Sequence, residues 1–190
     1  MLAEPNIAAE RLGADLRALR KRRGLTLHNL GDTLGKSVGW LSQVERGLSL
    51  PSSDDILAFA NALGVAPSAL TPTSASPDAA ASPIVRKGQR RALRPRREGL
   101  FEELLSPDLT DDFEVVHSTF APQSGITTEV KRPTQEVGYI VSGKLDLDIA
   151  GVPYTVRQGD SFRIRGEAFT WANPFDEPCV AIWVIAPPVY

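Results

Sequence analysis

Residues able to do metal or redox chemistry are few in this chain of 190 residues. It has two histidines, His28 and His117, and one cysteine, Cys179. A metal site built from clustered histidines is short of ligands from the outset. A lone cysteine makes no internal disulfide, which points to a reducing, cytoplasmic setting. Charge is the richer signal. The net charge is −2, yet it is partitioned along the chain. Residues 1–72 hold eight basic and seven acidic side chains, residues 83–99 seven and one, and residues 100–190 six and fourteen. An acidic C-terminal half is repelled by a polyphosphate backbone, whereas the front half and the basic segment can meet one. Within the front half Lys21, Arg22 and Arg23 form a basic run. It reads either as a phosphate contact or as a solvated helix end whose cations favour the C-terminal dipole.

The elements that must position such residues fall into two regimes. Apolar content of 42% and charged content of 23% match ordinary globular chains and exclude disordered, collagen-like and disulfide-scaffold classes. No apolar run is long enough to span a bilayer, and the N-terminus lacks a signal-peptide pattern, so no membrane partner is expected. Residues 71–83 contain three prolines and no aromatic or long aliphatic side chain. Such a stretch buries too little to offset its ordering entropy and reads as a linker. It separates a domain over 1–70 from one over 84–190.

Before the linker the apolar period is helical. Ala9, Leu12, Leu16 and Leu19 form one stripe of a helix from Ile7 to Arg22 that stops at Gly24. Thr26 is an N-cap for a second helix, with Leu27, Leu30 and Leu34 inward, closing near Gly35. Ser37 caps a short third helix that buries Leu41 and Val44 and stops at Gly47. Ser52 caps a fourth, ending at Gly64, and a turn at Pro67–Leu70 closes the unit. The few residues around Gly35 between helices two and three are the spacing of a helix-turn-helix. After the linker come short alternating runs punctuated by Gly and Pro: 113–120, 139–141, 144–149, 154–156, 161–165 and 180–185. These predict a β-sandwich or barrel.

Thr26-Leu27, Leu30, Gly35, Ser37, the string Leu41-Ser42-Gln43-Val44-Glu45-Arg46-Gly47, Pro51 and Ala60–Val65 resemble the lambda-repressor/Cro-type (XRE-family) helix-turn-helix family. The resemblance implies that the third helix enters the major groove of double-stranded DNA. It puts base-edge positions at Val38, Gly39 and Gln43, with Ser37 and Ser42 near phosphates. Gln43 can pair bidentately with adenine, and Val38 can touch a thymine methyl. Trp40 leans on the sugar-phosphate edge or packs on the second helix. Thr26 and Leu27 place backbone N–H groups at a helix N-terminus where a phosphate can sit. Arg20 and Glu45 match a structural pair bridging the first and third helices. Gly31 departs from the usual alanine, at a cost of about 1 kcal/mol in a helix interior, while keeping a close helix crossing.

Gly143 between two strands, Gln158-Gly159-Asp160, Glu136 and Asn173-Pro174 are similar to the two motifs of the cupins. The fold class expected is therefore a two-domain α + β chain: an all-α helix-turn-helix domain, then an all-β cupin, a double-stranded β-helix or jelly-roll barrel. The family pattern supplies His-x-His, Glu and a further His to a metal. Here the histidine positions hold Val130, Arg132 and Thr170, and only Glu136 remains. Neither a bound metal nor another cofactor is expected, and no catalytic residue. His117 lies outside both motifs, as a packed or surface residue.

Two readings of Arg132 and Glu136 stand side by side. They form a buried ion pair in place of the metal, or Arg132 offers a fork to a carboxylate or phosphate and Glu136 an acceptor to an amine. In the second reading Thr170 adds a hydroxyl, and Val130, Ile140, Phe162 and Trp183 are the walls of an effector pocket. The basic run Arg86–Arg97 is expected as the first barrel strand and its turn, with exposed arginines and secondary contact to flanking DNA.

A Cro-type reader joined to a cupin resembles a large bacterial group of transcriptional regulators. That implies an operator-binding regulator, a small-molecule effector and a homodimer reading two half-sites. Two alternatives remain. One is an enzyme related to iron-dependent phosphonate epoxidases, which couple the same domains but need the absent histidines. The other is a cupin serving only for dimerisation.

Overall fold

The computed structural model describes residues 6–65, 67–71, 83–93, 99–107 and 109–189. Most of the expected linker (72–82) and the arginines of the stretch 94–98 lie outside the described residues. Contacts divide the chain into two units, one of residues 1–93 with 107–110, the other of residues 94–106 with 111–189.

The first unit is helical: α1 (Ile7–Arg22), α2 (Leu27–Leu34), α3 (Val38–Glu45), α4 (Ser53–Leu63) and α5 (Pro67–Leu70). Each start is fixed by a side chain that satisfies an orphan N–H. Thr26 and Ser52 do so in reciprocal capping boxes with Asn29 and Asp55, and Ser37 Oγ accepts from the Trp40 N–H at 3.2 Å. Leu16, Leu19, Leu30, Leu41, Val44, Phe59, Ala60 and Leu63 make the core. Leu57 falls off the stripe of Ile56, Phe59, Ala60 and Leu63 and is 49% exposed.

Gly31 has a local reason. A Cβ there would stand 2.8 Å from the Lys36 carbonyl oxygen, so the constraint comes from the turn after α2 rather than from a helix crossing.

Residues 84–93, read from the sequence as the start of the β domain, group with the helical unit. Arg91 Nη1 donates to the buried Asp15 carboxylate at 2.6 Å and to the Ala69 carbonyl at 3.0 Å. Asp15 Oδ1 also accepts the Leu109 N–H at 2.8 Å. Arg91 is thus drawn inward by a buried carboxylate that needs a counter-charge, against the expectation of exposed arginines along 86–97. The described residues of that stretch, 86–93, contain a 3₁₀ turn (Lys87–Gln89) and the two-residue strand β1 (Arg91–Ala92).

The second unit carries β2 (Leu100–Leu104), β3 (Glu114–Phe120), β4 (Ser124–Gly125), β5 (Gln135–Ser142), β6 (Lys144–Ile149), β7 (Val152–Arg157), β8 (Ser161–Arg165), β9 (Phe169–Asn173) and β10 (Cys179–Ala186). Within this unit the sheet orders are β2-β3-β10-β5-β8 and β4-β9-β6-β7. Alternation decides which side chains turn inward. Val116, Phe120, Ile140, Leu145, Leu147, Ile164, Phe169, Trp171, Trp183 and Ile185 are buried. Phe120 meets Trp171 edge-on at 4.7 Å and Phe162 meets Trp183 at 4.9 Å. Gly143 holds the β5–β6 turn at φ +79°, where a Cβ would also stand 2.6 Å from the Pro178 carbonyl oxygen. Asn173, fully buried, closes the far end by donating to the Phe120 and Glu177 carbonyls at 3.1 and 2.9 Å.

Candidate functional site

The helix-turn-helix surface is built from α2 and α3. Burial of Leu41 and Val44 leaves Val38, Gly39 and Gln43 on the exposed side of α3. Those are the positions expected at base edges. Arg20 fixes the orientation of α3: its Nε and Nη2 donate to Glu45 Oε1 and Oε2 at 2.5 and 2.9 Å, and its Nη1 to the Leu25 carbonyl at 2.8 Å. This bidentate fork raises the Arg20 pKa further, chiefly through its hydrogen bonds to Glu45.

Ser37, exposed, spends its oxygen on capping α3, and Ser42 is half-buried, its carbonyl accepting from Arg46 Nε at 3.1 Å. Trp40 packs on α4: its ring stacks on Phe59 with centroids 6.1 Å apart. Lys36 Nζ lies 4.9 Å over the same ring and 2.7 Å from Asp55, and with Ser52 it holds the Asp55 carboxyl down at about 2.

The phosphate seat expected at Thr26 and Leu27 is altered. The Thr26 N–H already donates to Asn29 Oδ1 at 3.1 Å, because the capping box is reciprocal. Leu27 is half-buried. The basic run is also partly engaged. Arg22 Nη1 donates to the Leu109 carbonyl at 2.6 Å and Arg23 Nε to the Leu63 carbonyl, at the C-terminal end of α4, at 2.9 Å. Lys21 alone of the three lacks such a described bond and is exposed.

In the barrel, Glu136, Gly138 and Ile140 share the inward face of β5, and Thr134, one residue before the strand, is buried as well. Glu136, 1% exposed, accepts from Arg132 Nη2 at 2.9 Å and from Thr134 Oγ1 at 2.6 Å. The Arg132 guanidinium also stands 5.7 Å over the Phe169 ring. Its Nε is buried and finds no acceptor among the described residues. Val130 is pinned by backbone bonds to Phe169 at 2.8 and 2.9 Å. Arg132 and Glu136 therefore meet as the ion pair, with Val130, Ile140, Phe162 and Trp183 on neighbouring positions of the interior.

Two expectations change. Thr170 lies between the inward Phe169 and Trp171 on β9, so its side chain takes the opposite face, because strand side chains alternate. There it lines a recess of about 300 Å³ with Asp146, Asp148, Tyr154 and Thr155. The interior is also more filled than a pocket framed by apolar walls: the Phe162 ring stands where a Cβ on Gly138 would be, 2.1 Å from its Cζ.

The donor set does not fit a divalent metal. Its single carboxylate is neutralised by a guanidinium, and Thr170 faces away. Among the described residues no group of three or more His, Cys, Asp or Glu converges. His28 is exposed on α2, 3.9 Å from Asp32, and His117 lies on the outer side of β3, 3.9 Å from Glu103. Burial pushes the Cys179 thiol up to about 11, which leaves it protonated and unreactive at neutral pH. Thr134, Gly138 and Phe169 escaped the sequence reading, although the period of two through Glu136 and Ile140 marks the first two.

Residues 11–72 match the helix-turn-helix domain family, and residues 116–185 match the cupin domain family. The HTH-type transcriptional regulator SutR of Escherichia coli (strain K12) is 28% identical over 159 residues, 82% of this chain and 83% of that protein. The crystal structure of an HTH_3 family transcriptional regulator from Vibrio cholerae aligns over 97% of this chain and 99% of that chain, at 20% identity and a TM-score of 0.43. The Cupin_2 domain of an XRE family transcriptional regulator from Enterobacter cloacae aligns over 48% of this chain and 99% of that one, at 22% identity and a TM-score of 0.42. No helix among the described residues is long and apolar enough to cross a membrane.

Proposed function

We propose that this chain, which joins a helix-turn-helix domain to a cupin domain, is a cytoplasmic transcription regulator that binds operator DNA as a homodimer and senses a small anionic effector without a metal. The observation that carries the DNA reading is the outward set Val38, Gly39 and Gln43 on a helix locked by the Arg20–Glu45 fork. So few base-reading side chains give one domain weak specificity. Two copies reading half-sites about 34 Å apart supply the rest. SutR, 28% identical across most of the chain, is a regulator by its name and supports this reading.

The effector reading rests on Arg132. Its Nε is a buried donor with no described acceptor, and a carboxylate or phosphate oxygen satisfies it at once. Glu136 and Thr134 then orient the guanidinium, and Val130, Ile140, Phe162 and Trp183 shape the apolar surround. Phe162 must move for a ligand larger than a few atoms to enter, since its ring fills the space over Gly138. The same filled interior favours a second reading, a cupin that holds two copies together and takes no ligand.

Selection of preferred duplexes from random DNA, followed by fluorescence anisotropy, tests the first part. Gln43→Ala should lose about 1–3 kcal/mol of discrimination between selected and random duplex while keeping its thermal melt. Equal losses on both duplexes remove Gln43 from base reading, and no selectable duplex at all overturns the regulator. Melts of the purified protein against carboxylate and phosphate metabolites, with metal analysis, test the second part. A stabilising anion whose effect vanishes in Arg132→Lys supports it. One equivalent of a transition metal per chain overturns the metal-free reading.

A further inference from the structure

We propose that the effector taken by the barrel is an aromatic acid, one planar ring bearing a carboxylate, whose ring replaces that of Phe162 over Gly138. The inference rests on the anion reading of Arg132 above and names the chemical class that reading leaves open. Register lays out the site. Trp183, Gly138 and Phe162 stand opposite one another across β10, β5 and β8, and the next inward row is Ile185, Glu136 and Ile164. Gly138 therefore leaves a gap between two aromatic side chains. The Phe162 ring fills it: a Cβ on Gly138 would stand 2.1 Å from its Cζ and 2.5 and 2.6 Å from its Cε atoms. Phe162 meets Trp183 edge-on with centroids 4.9 Å apart, and Trp183 lies 5.9 Å from Phe169. The Arg132 guanidinium stands 5.7 Å over Phe169. An aromatic wall thus runs from the space over Gly138 to the cation.

Of these rings Phe162 is the one placed to yield. β8 ends its sheet and pairs only with β5, and Phe162 is half-buried whereas Trp183 and Phe169 are buried. What replaces the ring is set by the space it leaves. That space has a glycine floor and the Trp183 ring at its side, so a planar ring regains the contacts that Phe162 gives up. An alkyl chain fills it in part, and a compact polar anion leaves it as a cavity. The strand also places the acid group. Glu136, which holds Arg132, and Gly138 are successive inward residues about 6.8 Å apart, the reach of a carboxylate borne on a ring or one carbon from it. That carboxylate meets Arg132 Nε, buried with no acceptor among the described residues.

Isothermal titration calorimetry on the full chain tests the proposal, with circular dichroism as the folding control. The probes are benzoate and phenylacetate, set against heptanoate, cyclohexanecarboxylate, acetate and inorganic phosphate. The aryl acids should bind about 3- to 10-fold more tightly than heptanoate or cyclohexanecarboxylate, as an edge-on ring contact provides. Phe162→Ala should tighten them further, because no ring then has to be displaced. The double variant Gly138→Val/Phe162→Ala refills the space from β5 and should weaken the aryl acids by about tenfold or more. If that variant misfolds, the ranking of acids and Phe162→Ala still decide. Aliphatic acids that bind as tightly as aryl acids overturn the aromatic class and leave the anion at Arg132. Aryl acids that bind Phe162→Ala more weakly overturn the exchange of rings, and undiminished binding to a folded double variant puts the ring elsewhere. If none of these anions binds wild type or Phe162→Ala, the anion reading itself falls, and this inference with it.

Discussion

Replacing Arg132 by methionine separates the structural from the ligand-binding role of the barrel's ion pair. Methionine keeps most of the side-chain volume and removes the guanidinium, so Glu136 is left 1% exposed with Thr134 as its remaining described donor. Removing one partner of a fully buried pair costs about 3–5 kcal/mol. Two features move the figure. Arg132 retains 21% of its side-chain exposure and the Thr134 hydrogen bond survives, which favours the lower end. Loss of the guanidinium over the Phe169 ring adds about 0.5–1 kcal/mol. The expected loss is about 3 kcal/mol, carried by the barrel alone. Urea unfolding followed by tryptophan fluorescence reads it, because Trp171 and Trp183 are both buried in that core. The double variant Arg132→Met/Glu136→Gln removes the stranded charge and should recover all but about 1 kcal/mol, since an amide is far cheaper to bury than a carboxylate. A single variant within about 0.5 kcal/mol of wild type, or a double variant no better than the single, refutes the claim that Arg132 compensates a buried charge.

Two further predictions concern the helical unit. Gly31→Ala gains about 1 kcal/mol of helix propensity but sets a Cβ 2.8 Å from the Lys36 carbonyl. Backbone cannot retreat as a flexible side chain can, so a net destabilisation of about 1–2 kcal/mol is expected in chemical denaturation, and a stabilised variant would contradict it. Lys36→Met should show a pH signature. Asp55 is depressed from 3.8 to about 2, chiefly by Lys36 and then by Ser52. Its pairing therefore stabilises fully above about pH 4 and is lost as the pH falls through about 2. The stability gap between wild type and Lys36→Met should follow that course in acid titrations, and a gap independent of pH would remove the pair from the account.

The helical unit was legible because its signals are local. Thr26, Ser37 and Ser52 cap the helices they were expected to cap, and Gly35 and Gly64 end α2 and α4 in the left-handed region. The barrel was legible as alternating strands but not in full. Phe169–Asn173 is a strand whose apolar–polar alternation holds only over Phe169, Thr170 and Trp171 before Ala172 and Asn173 reverse it, and Gly138 interrupts the middle of β5. Alternation puts Thr170 opposite Phe169 and Trp171, and Glu136 with Gly138, but which of the two faces meets the core is set by pairing with distant strands. The inward pull on Arg91 likewise depends on Asp15, 76 residues away in sequence.

The ion pair also explains how a barrel resembling a metal-binding family keeps a carboxylate in its core without the histidines. A buried carboxylate needs a positive neighbour and hydrogen-bond donors. A divalent ion supplies the charge but must be held by several ligands. A guanidinium brought by Arg132 supplies the charge and a directed donor from within the chain, with Thr134 as the second donor. The exchange reverses what the interior can attract. A metal centre offers open coordination sites to neutral or anionic ligands and demands further donors around it. Here the fixed cation has spent one nitrogen on Glu136 and keeps Nε buried with no acceptor among the described residues. On the reading proposed above, that Nε takes an anionic or strongly accepting oxygen, and Phe162, whose ring fills the space over Gly138, limits how large the rest of the molecule is. Trimming that ring with Phe162→Ala should therefore widen the range of acids that stabilise the barrel, whereas Arg132→Lys should narrow it to none. Loss of anion binding in the trimmed barrel, with its fold intact, would place the ligand elsewhere.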